Sequence, residues 1–196
     1  MTVGAIFLDR DGVVNQLVYN PETKEYESPL SEKDLKIIPR IFSPLKKLKQ
    51  KGFFLFIVSN QPSYAKGKTA LGTLHRIHKL MHKKMIARGV EFNEYFYCYH
   101  HPEGIVKNYS GKCLCRKPKP YFIFKAKKKY GLDIRQSWFI GDQDSDVLCG
   151  QAAGARTILI KERHSKNKRG QSKPDYYVDS LAEAADIILK LKNVRS

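Results

Sequence analysis

Short apolar segments alternate with amphipathic segments along most of this 196-residue chain, and this alternation limits the folds that it can adopt. Residues 69–88 place apolar side chains on one helical stripe before Gly89, and residues 181–192 form another amphipathic stretch. The apolar segments predict strands at Ala5–Leu8, Phe53–Val58, Tyr95–Cys98, Trp138–Ile140, Thr157–Ile160 and Tyr176–Val178. Strands alternating with helices predict a three-layer, Rossmann-like α/β fold with a mostly parallel sheet.

The length of the chain fits one domain over residues 1–196 with a substantial core. No apolar run reaches the roughly 18 residues that a membrane span needs, so we expect no membrane partner. The first strand starts almost at the N-terminus, which argues against a cleaved signal peptide. We therefore expect a cytoplasmic and monomeric protein.

The formal net charge is +17, which favours anionic ligands such as phosphorylated metabolites, nucleic acid or acidic lipid. The densest basic stretch runs from Lys161 to Lys173 and also carries Ser, Asn, Gly and Gln, so we predict a flexible basic loop at about 161–174. Aromatic residues are not interleaved with the lysines as a base-stacking platform requires. Nucleic acid is therefore not the expected partner.

Carboxylates follow two of the predicted strands. Asp9 and Asp11 come directly after the first strand, and Asp142 follows Trp138–Ile140. Ser59 follows a third strand, and the carboxyl ends of parallel strands share one edge, so we expect these side chains to converge. Arg116 and Lys117 can join them from a loop. Three carboxylates, a hydroxyl and a lysine predict a site for Mg²⁺ and a phosphate, whereas the alternative is a solvated turn that caps the first strand.

Three of the four cysteines lie in residues 98–115, a segment that we predict to be a zinc-binding loop. Cys98 and His100 form one close pair, and Cys113 and Cys115 form another. Two such pairs match a closed structural Zn²⁺ site, although His101 could replace His100 and the thiols could instead be free. The fourth cysteine, Cys149, is expected to be a small core residue.

The histidines at positions 75, 78 and 82 are spaced for one face of the helix predicted at 69–88. They could form a second metal site. We interpret them instead as part of a polar, solvated helix face.

The ordered set of motifs resembles the haloacid dehalogenase superfamily of phosphatases over roughly residues 4–160. The motifs are Asp9-Arg10-Asp11-Gly12, Ser59-Asn60-Gln61, Cys113-x-Cys115-Arg116-Lys117-Pro118 and Gly141-Asp142-x₃-Asp146. Within the superfamily they resemble the branch of D-glycero-D-manno-heptose 1,7-bisphosphate and histidinol-phosphate phosphatases. The segment His100-His101-Pro102-Glu103-Gly104 and the long loop after it are closer to the heptose enzymes.

This resemblance implies a Mg²⁺-dependent phosphomonoesterase that removes the 7-phosphate through an aspartyl-phosphate intermediate. Asp9 would be the nucleophile and Asp11 the general acid and base. Asp9 and Asp142, with the main-chain carbonyl of Asp11, would hold Mg²⁺. The remaining implied roles are phosphate binding by Ser59 and Lys117, substrate binding by Asn60 and Arg116, and orientation of Lys117 by Asp146. No large cap domain fits the spacing, so the zinc-binding loop and residues 15–30 would shape access.

The sequence departs from the family pattern around the pocket. Pro62-Ser63-Tyr64-Ala65-Lys66-Gly67 stands where Ser-Gly-Ile-Ala-Arg-Gly is common, Tyr121 replaces a glycine, and Gln143 replaces a lysine of the heptose enzymes. None of these positions is a predicted catalytic residue, so the changes concern the sugar. We expect a small phosphorylated sugar, with heptose 1,7-bisphosphate favoured.

Three other functions remain open from the sequence. Two are enzymatic, a histidinol-phosphate phosphatase and a polynucleotide 3′-phosphatase. The third is a zinc-stapled anion- or nucleic-acid-binding module without catalysis.

Overall fold

The computed structural model describes residues 3–193 and places six parallel strands in one sheet. In spatial order the strands are β5 (Glu94–Cys98), β4 (Phe54–Asn60), β1 (Ala5–Leu8), β6 (Trp138–Gly141), β7 (Arg156–Ile160) and β8 (Tyr176–Val178). A separate antiparallel hairpin is formed by β2 (Val18–Asn20) and β3 (Glu25–Glu27). The α/β fold with a parallel sheet and no large cap domain is confirmed.

In the described part of the chain, five α-helices cover the two faces of the sheet. They are α1 (Phe42–Gln50), α2 (Leu71–Ala87), α3 (Tyr121–Tyr130), α4 (Asp144–Ala153) and α5 (Leu181–Asn193). Helices α1, α2 and α5 pack on one face with Ile6, Leu8 and Ile57, whereas α3 and α4 pack on the other with Phe7 and Phe56. Within residues 3–193, no helix is long and apolar enough to cross a membrane.

The predicted strands agree with the observed ones to within two residues. The largest difference is at β4, which continues to Asn60 because Ser59 and Asn60 pair with Tyr97 and Cys98 of β5. The stripe on α2 is confirmed, since Leu74, Ile77, Met81 and Met85 are fully buried.

The interpretation of the α2 histidines as one solvated face is wrong. His78 is buried, stacks on the ring of Tyr97 with centroids 3.7 Å apart, and has its Nδ1 3.0 Å from the hydroxyl of Tyr99. His82 packs against Tyr95, with ring centroids 4.5 Å apart. Tyrosines that alternate along β5 put their rings under α2, so these histidines complete an aromatic layer and His75 alone is exposed.

The basic stretch predicted at 161–174 contains a short 3₁₀ helix at Arg163–Lys168. Ser165 in this helix is fully buried and donates a hydrogen bond to the main-chain oxygen of Asp142 (3.1 Å). Arg169 donates to the carbonyls of Ile160 and Glu162. The stretch therefore packs beside the carboxyl edge of the sheet, while its predicted flexibility stays a prediction.

Candidate active site

The central position of β1 brings the predicted catalytic residues together. β1 pairs with β4 on one side and β6 on the other, so Asp9, Ser59 and Asp142 lie at neighbouring strand ends. A cleft of about 360 Å³ opens at this edge, and Asp9 and Asp11 are among its lining residues. Asn60, Arg116 and Lys117 line it too, whereas Ser59 and Asp142 are buried beside it.

Lys117 is the buried cation at the centre of the site. Its Nζ lies 2.9 Å from Asp9 Oδ1 and 2.6 Å from Asp146 Oδ1, and it donates to the carbonyl of Val58 (2.8 Å). Burial favours the neutral amine, but the carboxylates of Asp146 and Asp9 outweigh it and raise the pKa of Lys117. The lysine is therefore a fixed positive charge beside Asp9.

Asp146 also shapes the turn that holds Asp142. Its Oδ2 accepts hydrogen bonds from the main-chain N–H groups of Asp142 (3.1 Å) and Gln143 (3.0 Å), which caps the N-terminus of α4. The orientation of Lys117 by Asp146 stays a prediction, which the ion pair between the two residues supports.

Asp142 is fully buried, and neither of its carboxylate oxygens has a hydrogen-bond partner among the described residues. Burial and the adjacent Asp146 and Asp9 raise its pKa well above the ordinary range. A buried carboxylate without a partner is costly, so this position calls for a cation. Oxygens of Asp9, Asp142 and Asp146 lie within 4.8 Å of one another, which fits a hard divalent ion such as Mg²⁺.

The loop after β1 requires a glycine at position 12, where it passes Asp142. The φ of Gly12, +84°, lies in the left-handed region, and a β-carbon there would come within 2.6 Å of Asp142 Oδ2. Only glycine lets the loop after β1 pass this close to the carboxylate.

Asp11 is held by four donors. Arg10 contacts both carboxylate oxygens at 2.9–3.1 Å, and Asn15 donates to Oδ1 at 2.9 Å. Gln61 (2.6 Å) and Ser28 (2.9 Å) donate to Oδ2. Burial alone would raise the pKa of Asp11, but the charge of Arg10 and these hydrogen bonds lower it.

Cys98, His100, Cys113 and Cys115 form a compact cluster beside the cleft. The sulfur atoms are 3.1–3.7 Å apart, and His100 Nδ1 lies 3.7 Å from Cys115 Sγ and 3.9 Å from Cys98 Sγ. Ligands about 2.3 Å from a tetrahedral zinc would be roughly 3.8 Å apart, so the set fits a structural zinc. His101 instead accepts a hydrogen bond from the main-chain N–H of Glu103.

The predicted zinc-binding loop is connected directly to Lys117. Arg116, which follows Cys115, donates from Nη1 to the carbonyl of His100 (3.2 Å). Asn60 bridges the other side: its Oδ1 accepts from the N–H of Lys117 (3.0 Å), and its Nδ2 donates to the carbonyl of Lys117 (3.2 Å). Asn60 therefore braces the loop at the point where Lys117 enters the site.

Several residues of the cleft were missed by the sequence analysis. Ser28 and Glu25 come from the β2–β3 hairpin region and Lys168 from the 3₁₀ helix, whereas Lys66 belongs to the loop after β4 that the sequence analysis placed around the pocket. The hairpin is held over the site by Lys68, which pairs with Glu27 at 2.5 Å, and by Tyr26, which stacks on His164 with centroids 3.5 Å apart. The expectation that residues 15–30 shape access did not identify these side chains, because their partners lie far away in the sequence.

Comparison with known proteins supports this interpretation of the site. The HAD-hydrolase-like family model matches residues 114–184. The chain is 30% identical to the D-glycero-beta-D-manno-heptose-1,7-bisphosphate 7-phosphatase of Vibrio cholerae over 98% of this chain and 100% of that protein. It is 35% identical to the D-glycero-alpha-D-manno-heptose-1,7-bisphosphate 7-phosphatase of Photorhabdus laumondii over 81% of this chain and 82% of that one.

A solved structure of a heptose 1,7-bisphosphate phosphatase is also similar to this chain. The D,D-heptose 1,7-bisphosphate phosphatase of B. bronchiseptica, complexed with magnesium and phosphate, superposes with a TM-score of 0.79 at 25% identity. The match covers 96% of this chain and 99% of that one. The fold, the carboxylate cluster and the near full-length similarity together show that this chain belongs to the heptose-1,7-bisphosphate phosphatase family of the haloacid dehalogenase-like hydrolases.

Proposed function

We propose that this protein hydrolyses the 7-phosphate of a D-glycero-D-manno-heptose 1,7-bisphosphate. The observation that carries the proposal is the pairing of Asp9 with Lys117, at the floor of a cleft with cations at its rim, beside the carboxylate of Asp142, which has no hydrogen-bond partner within residues 3–193. The identity of the sugar is inferred from the relatives, which are heptose-1,7-bisphosphate 7-phosphatases.

In the first half-reaction a carboxylate oxygen of Asp9 attacks phosphorus, and the bond between phosphorus and the sugar oxygen breaks. Lys117 compensates the negative charge on the phosphoryl oxygens, and Ser59 supplies a hydroxyl donor. Mg²⁺, held by Asp9, Asp142 and the main-chain carbonyl of Asp11, would screen the repulsion between Asp9 and the phosphate. Because Lys117 is already fixed 2.9 Å from Asp9, little reorganisation is needed.

Asp11 transfers the protons in this scheme. It protonates the departing sugar oxygen and later takes a proton from the water that attacks the aspartyl phosphate. The observed contacts with Arg10, Asn15, Gln61 and Ser28 stabilise its carboxylate form. Acid catalysis therefore requires Asp11 to leave Arg10, and the β2–β3 hairpin region that carries Ser28 takes part in this change.

The second phosphate of the substrate would lie at the rim of the cleft. Arg116, Lys66 and Lys168 converge there from three separate segments of the chain. Lys66 and Lys168 are exposed and form no ion pair within the described part of the chain, so both are free to bind an anion. A monophosphorylated substrate would leave these cations unused.

Phosphate release in the presence of Mg²⁺ tests the proposal. The substrates are heptose 1,7-bisphosphate in both anomers, histidinol phosphate and a 3′-phosphorylated oligonucleotide, with Asp9→Asn as the matched inactive protein. We expect a clear preference for the bisphosphate. A preference for another substrate would refute the sugar assignment, and turnover by Asp9→Asn would refute the covalent mechanism.

A further inference from the structure

Part of the net charge of +17 lies at the edge of the sheet opposite the cleft, on the last turns of helices. In a parallel α/β fold each helix returns against the direction of the strands, so helices end at the edge opposite the carboxyl ends. The last turns of α1, α2, α3 and α5 all carry lysines, whereas the last turn of α4 carries no basic residue.

Three of these helix ends meet on one face of the sheet. Lys46 of α1 packs against Gly89, just after α2, and Lys49 donates to the carbonyl of Glu91 (3.0 Å). Lys192 of α5 contacts the carbonyl of Lys51. These contacts bring the ends of α1, α2 and α5 together, and we call the cations at these ends the basic edge patch, which consists of Lys46, Lys47, Lys49, Lys51, Lys84, Arg88 and Lys192.

The positive charge of the four lysines within Lys46–Lys51 is poorly balanced by the described part of the protein. Among the described residues, the four lysines within Lys46–Lys51 form one ion pair, between Lys49 and Glu91 at 3.6 Å. Both of these side chains are largely exposed, and such pairs contribute at most about 1 kcal/mol. One or two cations satisfy the dipole at the end of a helix, so these four lysines exceed that need. The excess repels itself unless an anion covers it.

An open groove lies within the patch. This groove of about 840 Å³ runs between α1 and the end of α2, and Lys46, Lys47 and Arg88 line it. The guanidinium of Arg88 lies 4.9 Å above the ring of Phe42, which holds this cation in a fixed direction.

We propose that the basic edge patch binds the phosphate backbone of double-stranded nucleic acid. A row of cations along a groove is the arrangement that contacts successive phosphates. Within residues 3–193 the patch has no exposed large aromatic ring, so it lacks the platform on which single-stranded bases stack. Ile86 is its one exposed large apolar neighbour, which is too little to anchor the protein in a membrane.

The proposal changes the expectation from the sequence that nucleic acid is not a partner. The lack of aromatic residues between the lysines argues against single strands but does not concern duplexes. Because the patch and the cleft lie at opposite edges of the sheet, binding there leaves the active site open. The proposal therefore does not depend on the identity of the sugar.

Fluorescence anisotropy with a labelled 20-base-pair DNA duplex, from 50 to 200 mM salt, tests the proposal. The triple variant Lys46→Gln, Lys47→Gln, Arg88→Gln removes three charges from the groove. The matched control, Lys125→Gln, Lys127→Gln, Lys128→Gln, removes three exposed charges from α3 on the other face of the sheet. Thermal unfolding and phosphatase activity confirm that both variants are folded.

We expect the patch variant to bind the duplex at least tenfold more weakly, with less than a twofold change in the control. The slope of log K against log salt should become shallower by about 0.9 for each phosphate that the variant no longer neutralises, or roughly 2.7 for three phosphates. Phosphate release should be unchanged in both variants.

Four results would overturn the proposal: no duplex binding at 50 mM salt, equal weakening in both variants, tighter binding of a single-stranded oligonucleotide, or tighter binding of phosphatidylserine vesicles.

Discussion

Replacing Asp142 with asparagine should stabilise the metal-free protein while abolishing its activity. Asp142 is buried, has no hydrogen-bond partner for either carboxylate oxygen among the described residues, and lies close to the carboxylates of Asp9 and Asp146. The substitution keeps the shape of the side chain and removes the charge. A neutral polar group that is buried without a partner costs about 1–3 kcal/mol and a charged one costs more, so the asparagine, which is also buried there, removes only the additional cost of the charge.

Taking about 1–3 kcal/mol as the gain, the Tm of a chain of this length should rise by about 2–12 °C in the presence of EDTA. Mg²⁺ should change the comparison. At 100 times its Kd a ligand stabilises the folded state by about 2.7 kcal/mol, so the wild-type protein should gain stability from Mg²⁺ and Asp142→Asn should not.

Differential scanning calorimetry in EDTA and in saturating Mg²⁺ measures both effects. Asp186→Asn is the matched control, since it makes the same chemical change at an exposed carboxylate of α5. A variant that is less stable than wild type in EDTA, or one that Mg²⁺ stabilises as much as wild type, would refute the argument that Asp142 is kept for a cation.

Three further outcomes follow from other parts of the structure. Cys113→Ser should lose zinc, measured by atomic absorption, and should lower kcat because the loop that carries Lys117 loses its anchor, while Cys149→Ser keeps one zinc per chain. Lys168→Ala should raise KM for the bisphosphate about fivefold, which corresponds to the loss of one exposed ion pair of about 1 kcal/mol. The KM for p-nitrophenyl phosphate should be unchanged. Equal effects on both substrates would contradict the role of Lys168 at the second phosphate. Burial, followed by the charge of Arg10, lowers the pKa of His78 to about 2. The unfolded chain binds a proton there below its ordinary pKa of 6.5, so stability should fall as the pH drops below that value. The loss from pH 7 to 5.5 should be about 1.2 kcal/mol in urea unfolding and should disappear in His78→Phe.

The parts of the site that the sequence could predict are those placed by strand ends. Asp9 and Asp142 follow neighbouring strands of a parallel sheet, so their convergence needs only the order of elements and the rule that ligands bind at the carboxyl edge. The zinc ligands could also be predicted from the sequence, because Cys98, His100, Cys113 and Cys115 lie close together and their spacing is typical of a zinc site.

The residues that hold Asp11 and line the rim could not be found in this way. Ser28 reaches Asp11 from a hairpin built on two three-residue strands, and Lys168 comes from a stretch that is polar throughout. Their positions depend on tertiary contacts such as the stacking of Tyr26 on His164, which no local pattern encodes.

The burial of the α2 histidines can be predicted when α2 and β5 are considered together. Tyr95, Tyr97 and Tyr99 alternate, so a strand there presents all three rings on one face. A neighbouring helix on that face must offer side chains that pack on rings, and His78 and His82 do so. Considering each element alone gave a solvated histidine face, whereas considering the pair predicts a buried one.

Both predicted metal centres bear on the position of one side chain, Lys117. Lys117 must be charged, buried and beside Asp9, although burial by itself favours its neutral form. The carboxylates of Asp9 and Asp146 retain the charge, but they would also repel each other if the lysine moved away. The loop is therefore fixed from both sides, by Asn60 at the end of β4 and by Arg116 on the carbonyl of His100. Gln61 adds a third tie, since its N–H donates to the carbonyl of Cys98 (2.7 Å) while its side chain donates to Asp11. A structural zinc held by the Cys98–Cys115 cluster would therefore have a catalytic consequence, because it would fix the main chain that positions Lys117, the residue predicted to bind phosphate.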